Sequence, residues 1–244
     1  MDGRAALLRL PLDVGQDLGR PLLGQAEPRL DLDQALNSRK ILLVPLSKGT
    51  LGEEAAALIG SLVVAKVWQA VQRRVSLAAD RRPVTFAYID EFQDYLNLPT
   101  GVADILAQAR GLGLGLTLAH QHLGQLPAGI REAVLANARS KVYFQMGPDA
   151  RTLAKDLAPH LTADDLTGLG AYEVVATLSA GARVAPPVTG RTLPPPPATG
   201  QAEAARAASR QTYGVPRAEV EAAIGRRHGG APGDGQLGLR EVSL

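Results

Sequence analysis

Short apolar strands alternate with helices of about ten residues between positions 41 and 178. That alternation restricts the chain to an α/β architecture built on a mainly parallel sheet. The first strand reads Ile41-Leu42-Leu43-Val44-Pro45-Leu46. An unbroken apolar run of this kind suits a strand buried on both faces. A helix is predicted from Thr50, where Thr50-x-x-Glu53 has the form of a capping box. Leu58, Ile59, Leu62, Val63, Val67 and Val71 give that helix an apolar face. It should end near Arg73-Arg74, where cations suit the helix dipole. Further strands are predicted over 84–89, 114–119, 141–146 and 172–178, with helices over 102–110, 130–138 and 149–157.

Composition narrows the function classes. With 45% hydrophobic residues the chain has ample material for a core. It has no cysteine, which excludes disulfides, thiolate zinc sites, iron–sulfur clusters and a cysteine nucleophile. The net charge of +2 favours no partner, and only five of the 26 basic residues are lysine. The longest uncharged apolar run, Ala55 to Ala65, is about half of the ~20 residues needed to cross a bilayer. No signal peptide opens the sequence. A cytoplasmic chain without a transmembrane segment is the expectation.

Three segments are expected: 1–34 as a connecting stretch, 35–192 as the α/β domain, and 193–244 as a largely disordered Pro/Gly/Ala-rich tail. The four prolines from Pro194 to Pro197 favour an extended linker. One or two short helices are expected in the tail, one of them from Pro216 to Arg227.

The sharpest chemical signal is Val84-Thr85-Phe86-Ala87-Tyr88-Ile89-Asp90-Glu91-Phe92-Gln93. An apolar strand ending in Asp-Glu is the second nucleotide motif of phosphate-loop ATPases, and strand C-termini line the ligand crevice of open α/β sheets. Asp90 would hold Mg²⁺ through its water shell, and Glu91 would polarise an attacking water. The next strand delivers His120-Gln121-His122 to the same sheet edge, where Gln121 could sense a γ-phosphate or orient water. Arg110, followed by Gly111 and Gly113, is either a functional cation or a helix-terminal cation before a glycine cap. His120-x-His122 lacks a third metal ligand placed by sequence. Arg73, Arg74, Arg81 and Arg82 read as a solvated helix end and loop.

Taken with Gln108-Ala109-Arg110-Gly111-Leu112-Gly113, Leu118-Ala119-His120-Gln121, Leu46-Ser47-Lys48-Gly49-Thr50-Leu51-Gly52 and Asn137-Ala138-Arg139-Ser140-Lys141, the Asp90-Glu91 strand resembles the HerA/FtsK superfamily. The closer resemblance is to the TraG/TraD-type coupling ATPases of conjugative type IV secretion, in their TraM-recognition region. It covers roughly residues 35–192. It implies a RecA-like three-layer sandwich, incomplete at its N-terminus, from a homo-hexameric motor that uses ATP and Mg²⁺ to move DNA. It also implies that Arg110 reaches the nucleotide site of a neighbouring subunit, and that a conjugation or relaxosome protein is a partner.

One departure is decisive. A phosphate-binding loop needs G-x-x-x-x-G-K-[ST], whose amides and lysine cradle phosphates. The lysines are Lys40, Lys48, Lys66, Lys141 and Lys155, and none follows a glycine. The chain therefore reads as the C-terminal half of such a motor, with no tight binding of ATP expected by itself. The alternative is a non-hydrolysing interaction module that contacts a partner ATPase or relaxosome protein. A superfamily 1 helicase fragment fits less well, because the strand after Asp-Glu ends Ala119-His120-Gln121 without Gly-Asp.

Overall fold

Residues 7–9, 25, 29–96, 98, 101–181 and 183–227 are described by the structure, a computed structural model. Most of the expected connecting stretch and all of 228–244 lie outside the described residues. The chain divides into two compact units. The first combines residues 1–31, 40–56 and 202–244; the second comprises 32–39 and 57–201.

In the first unit β1 (Leu7–Arg9) pairs in parallel with β2 (Ile41–Leu43). A single helical turn, α2 (Lys48–Leu51), follows, and Gly52 ends it at φ +82°. The long helix α3 (Glu53–Gln72) therefore starts at Glu53, not at Thr50. Thr50 lies inside the preceding turn, its hydroxyl 3.2 Å from that of Ser47, so it caps nothing. From 193 a largely disordered tail with one or two short helices is the expectation, one of them over 216–227. The structure places two helices there, α8 (Ala202–Tyr213) and α9 (Arg217–Arg227). Lys40 donates to the Tyr213 hydroxyl at 3.0 Å and its ammonium lies over that ring, while Arg29 donates to the Gly214 carbonyl. Val220 and Ile224 are buried on α9.

The second unit holds α1 (Leu32–Asn37), the body of α3, and β3 (Thr85–Ile89) joined through α4 (Val102–Gln108) to β4 (Leu114–Leu118). β3 and β4 are parallel and in register from Thr85↔Leu114 to Ile89↔Leu118. One face of this ribbon packs Ala87 and Leu116 against a core of Trp68, Val71, Ile105, Ala109 and Leu112. Then come α5 (Ala128–Asn137), β5 (Lys141–Tyr143), α6 (Ala150–Leu157), α7 (Ala163–Thr167) and β6 (Glu173–Thr177). Leu157, Leu166 and Val175 are fully buried in a second core with Leu153, Phe92 and Tyr143. Burial, with the nearby Asp156 charge, pushes the Tyr143 phenol up to about 12. Thr162 caps α7: its backbone N–H and hydroxyl both donate to the Asp165 carboxylate, holding that carboxyl below the usual range.

Three strands were not anticipated: β7 (Ser179–Ala180), β8 (Arg183–Val184) and β9 (Val188–Arg191). β6 pairs antiparallel with both β5 and β9. The chain thus has the parallel pairings β1–β2 and β3–β4 and, in addition, an antiparallel sheet. The strand over 84–89 was also expected to be covered on both faces. Instead Phe86 and Tyr88 are 68% and 77% exposed. Helix α3 with its following turn, Glu53–Ser76, is by length and composition apolar enough to cross a membrane. The uncharged run is cut by Lys66, and Trp68 and Val71 are buried in the core, as in the central helix of a folded domain.

Of the four clustered arginines, Arg73 and Arg81 are exposed as expected, but Arg74 and Arg82 are held by the fold. Arg74 is only 4% exposed, and its guanidinium donates to the Pro83 carbonyl (2.9 Å) and the Thr85 hydroxyl (2.8 Å). Burial lowers its pKa, opposed by the charge of Asp33. Arg82 donates to the carbonyls of Arg74, Leu77 and Gly111. These two arginines tie the loop after α3 to the start of β3. Arg73, by contrast, is exposed and pairs with Asp33.

Arg74→Met keeps the apolar stem but leaves a buried carbonyl and hydroxyl without their donor. A loss of about 2–3 kcal/mol in denaturant unfolding is expected. Arg73→Ala should cost no more than about 1 kcal/mol, as exposed ion pairs do. Equal losses for the two would refute the structural role given to Arg74.

Candidate functional site

The site is built where β3 and β4 end. Because the strands are parallel and in register, both chains leave the sheet at the same edge. Two backbone bonds extend the ladder past the strands: Ala119 N–H donates to Ile89 carbonyl at 3.0 Å, and Phe92 N–H to Ala119 carbonyl at 3.1 Å. This stitching fixes Asp90-Glu91 beside His120-Gln121.

Glu91 has φ +48° and ψ +46°, a left-handed conformation that costs a non-glycine residue roughly 1–2 kcal/mol. Its N–H donates to Asp90 Oδ1 at 3.1 Å. Its carboxylate is gripped from two sides: Gln121 Nε2 donates to Oε1 at 2.7 Å and Gln93 Nε2 to Oε2 at 2.6 Å. The strained backbone turns the carboxylate across the sheet edge, and the two amides orient it there. A fixed carboxylate at a strand C-terminus has the geometry to accept a proton from a water delivered to it.

The loop that carries Gln121 is itself braced. Gln125 Oε1 accepts from the backbone N–H of Gln121 (3.0 Å) and of His122 (3.2 Å). Asp149 accepts from Leu123 N–H at 2.6 Å. Gln93, Gln125 and Asp149 were missed by sequence reasoning. Gln93 could have been found from its place two residues after Glu91; the other two carry no motif. His120 packs its ring edge-on against Phe92, with centroids 5.6 Å apart. Among the described residues no group of three or more His, Cys, Asp or Glu could hold a metal ion.

Arg110 is not brought to this edge. It lies in the 3-10 turn Ala109–Leu112 that precedes β4, at the opposite end of a five-residue strand. At about 3.3 Å per residue the two ends are on the order of 15 Å apart. Arg110 is exposed. Gly113 closes its turn at φ +79°, donating to the Ala109 and Arg110 carbonyls. A Cβ at Gly113 would stand 2.7 Å from the Pro83 carbonyl oxygen, so glycine is required there.

A nucleotide with Mg²⁺ fits these residues in part. Asp90, exposed at the strand end, suits a hydrated Mg²⁺. No glycine–lysine phosphate cradle exists in the sequence, so the β- and γ-phosphates have no counterpart of that kind here.

No family model matches the chain, and no curated protein matches it significantly. Among solved structures it is similar to the bacterial conjugative coupling protein TrwBdeltaN70 in an unbound form, at 16% identity and a TM-score of 0.54. That likeness covers 66% of this chain and 43% of the other. It is similar also to the plasmid coupling protein TrwB with the non-hydrolysable GTP analogue GDPNP (16% identity, TM-score 0.54, 66% and 43% covered). A third is TrwB with ADP and Mg²⁺ (17% identity, TM-score 0.54, 66% and 42% covered). The chain thus spans less than half the length of the coupling-protein structures it resembles. What the likeness establishes is the fold: an α/β, RecA-like architecture with a parallel sheet, shared with these conjugative coupling proteins.

Proposed function

We propose that this chain supplies the carboxylate-bearing half of a DNA-translocating ATPase of the TraG/TraD coupling type, acting in conjugative DNA transfer through type IV secretion. The observation that carries the reading is the 2.7 Å contact between the Glu91 carboxylate and the Gln121 amide, at the C-terminal ends of adjacent parallel strands. The shared fold supports it, as do coupling-protein structures that hold ADP with Mg²⁺ or nucleotide analogues.

In this reading Mg²⁺ neutralises charge on the phosphates when bound. Asp90 holds its water shell. Glu91 takes the proton of the attacking water, oriented by Gln93 and Gln121, and Gln121 responds to the γ-phosphate. Arg110, at the far end of β4, serves a neighbouring subunit of a homo-hexameric ring threaded by DNA. That role is consistent with its distance from Glu91 in its own chain. The ring works on the cytoplasmic side, held near the membrane by other parts of the system, and meets a conjugation or relaxosome protein through its TraM-recognition region. The missing phosphate loop favours a second reading, a non-hydrolysing module that binds a partner ATPase.

Turnover separates the two. The pure chain should hydrolyse no measurable ATP; hydrolysis abolished by Glu91→Gln would contradict the composite site. In the assembly recovered from conjugating cells on a tagged chain, Glu91→Gln should lower turnover about 10²–10⁴-fold with ATP affinity retained. Arg110→Ala should cost about 10³–10⁵-fold, and mixing these two variants should restore part of the activity. Turnover indifferent to both substitutions would leave the interaction module standing.

The strain at Glu91 gives an independent check on the isolated chain. Both Glu91→Ala and Glu91→Gly remove the carboxylate, but only glycine relaxes a φ of +48°. The glycine variant should be the more stable of the two by about 1 kcal/mol. Alanine being the more stable would remove the case for a strained turn.

A further inference from the structure

Gln121 is exposed on the loop that follows β4, yet its amide is held 2.7 Å from the Glu91 carboxylate. An exposed glutamine has several free torsions, so the backbone that carries it must be fixed for the contact to persist. Gln125 Oε1 accepts from the N–H groups of Gln121 and His122, but Gln125 lies in the same loop and shapes it without setting its place. The bond from Leu123 N–H to Asp149 Oδ2, at 2.6 Å, is of another kind, because it crosses 26 residues to the start of α6. The Leu123 side chain is buried in the core that also holds Phe92, Ala150 and Leu153. Phe92 follows Glu91, so carboxylate and amide are both referred to one core, and Asp149 ties the Gln121 loop to it.

Asp149 makes that bond in place of one its own helix could use. It is the residue before α6, where an aspartate ordinarily accepts from the second or third N–H of the helix. Its side chain makes no such cap bond. A carboxylate at this position is still favoured by the helix dipole, and its bond to a backbone N–H is of the strong, charge-assisted kind. A cap acting only for stability would turn back onto α6. This one turns to the loop that carries Gln121.

We propose that Asp149 is a positioning residue for Gln121: by holding Leu123 N–H at the start of α6, it keeps the Gln121 amide on the Glu91 carboxylate. The inference rests on the proposed function for what the Glu91–Gln121 pair does, whereas the contact it accounts for belongs to the chain alone.

The test compares Asp149→Asn with Asp149→Ser in the full chain. Asparagine keeps an oxygen at the same reach; serine caps helices about as well as aspartate but is too short to hold Leu123. The readout is the side-chain amide of Gln121 by NMR. In the wild type and in Asp149→Asn its Nε2 protons should stand displaced from the free-glutamine position, as donors to a carboxylate do. In Asp149→Ser they should return to that position with the melting temperature nearly unchanged. Asp149→Ala, which can neither cap nor reach, should match serine in the amide signal and fall below it in melting temperature. A Gln121 amide that stays displaced in the serine or alanine variant would overturn the proposal. In the assembly recovered from conjugating cells, Asp149→Ser should lower kcat by about 10–10²-fold with KM unchanged. It should cost nothing further in a chain that already carries Gln121→Ala; a second loss of the same size there would overturn the proposal, since Asp149 would then act through another group. If the amide moves as stated but Gln121→Ala leaves turnover intact, the positioning stands and the proposed function falls.

Discussion

The parallel register of β3 and β4 is the constraint from which the candidate site follows. Ile89 opposite Leu118 sets the last pair of the ladder, and the bonds Ala119 N–H to Ile89 and Phe92 N–H to Ala119 carry the pairing two residues further. Shifting one strand by a single residue would move Gln121 away from Glu91 and turn Phe86 and Tyr88 toward the helices. The register is pinned at its other end by Arg74, which holds Pro83 and Thr85, and by Arg82, which bonds Gly111 ahead of β4. Two arginines at one end of the ribbon thus position a carboxylate at the other.

Much of this was legible in the chain. The strand ending in Asp90-Glu91 and the next ending before Gln121 could be read because apolar runs with polar ends carry their own signal. Elements whose stability comes from distant partners could not. Arg74 looks like any helix-end cation until the loop folds back nine residues later and buries it. Thr50-x-x-Glu53 has the letters of a capping box, but Gly52 adopts φ +82° and breaks the helix between them. β9 has the exposed sequence Val188-Thr189-Gly190-Arg191, and only its pairing with β6 makes it a strand. α8, alanine-rich and polar, lacks an obvious apolar face, and its C-terminal Tyr213 is met by Lys40 from far along the chain. In the site, Gln93 and Gln125 act by holding other groups, a role no spacing rule announces.

Local strain and incomplete burial occur at the same ribbon. Glu91 sits in a costly backbone conformation, and Phe86 and Tyr88 lie in water on a strand type that is ordinarily covered. A chain selected for stability alone has no use for either feature. The strain acquires a purpose in the proposed function, where it aims the carboxylate at a ligand. In the proposed function the far-end position of Arg110 is put to use on another copy's site.

The central claim, that Glu91 and Gln121 form one site at the ends of β3 and β4, is tested most directly by a double-mutant cycle in the assembly recovered from cells on a tagged chain. Glu91→Gln and Gln121→Ala are made singly and together, and ATP turnover is compared. The account predicts that the double variant is scarcely slower than Glu91→Gln alone, because the amide acts through that carboxylate. Losses that multiply independently would contradict it.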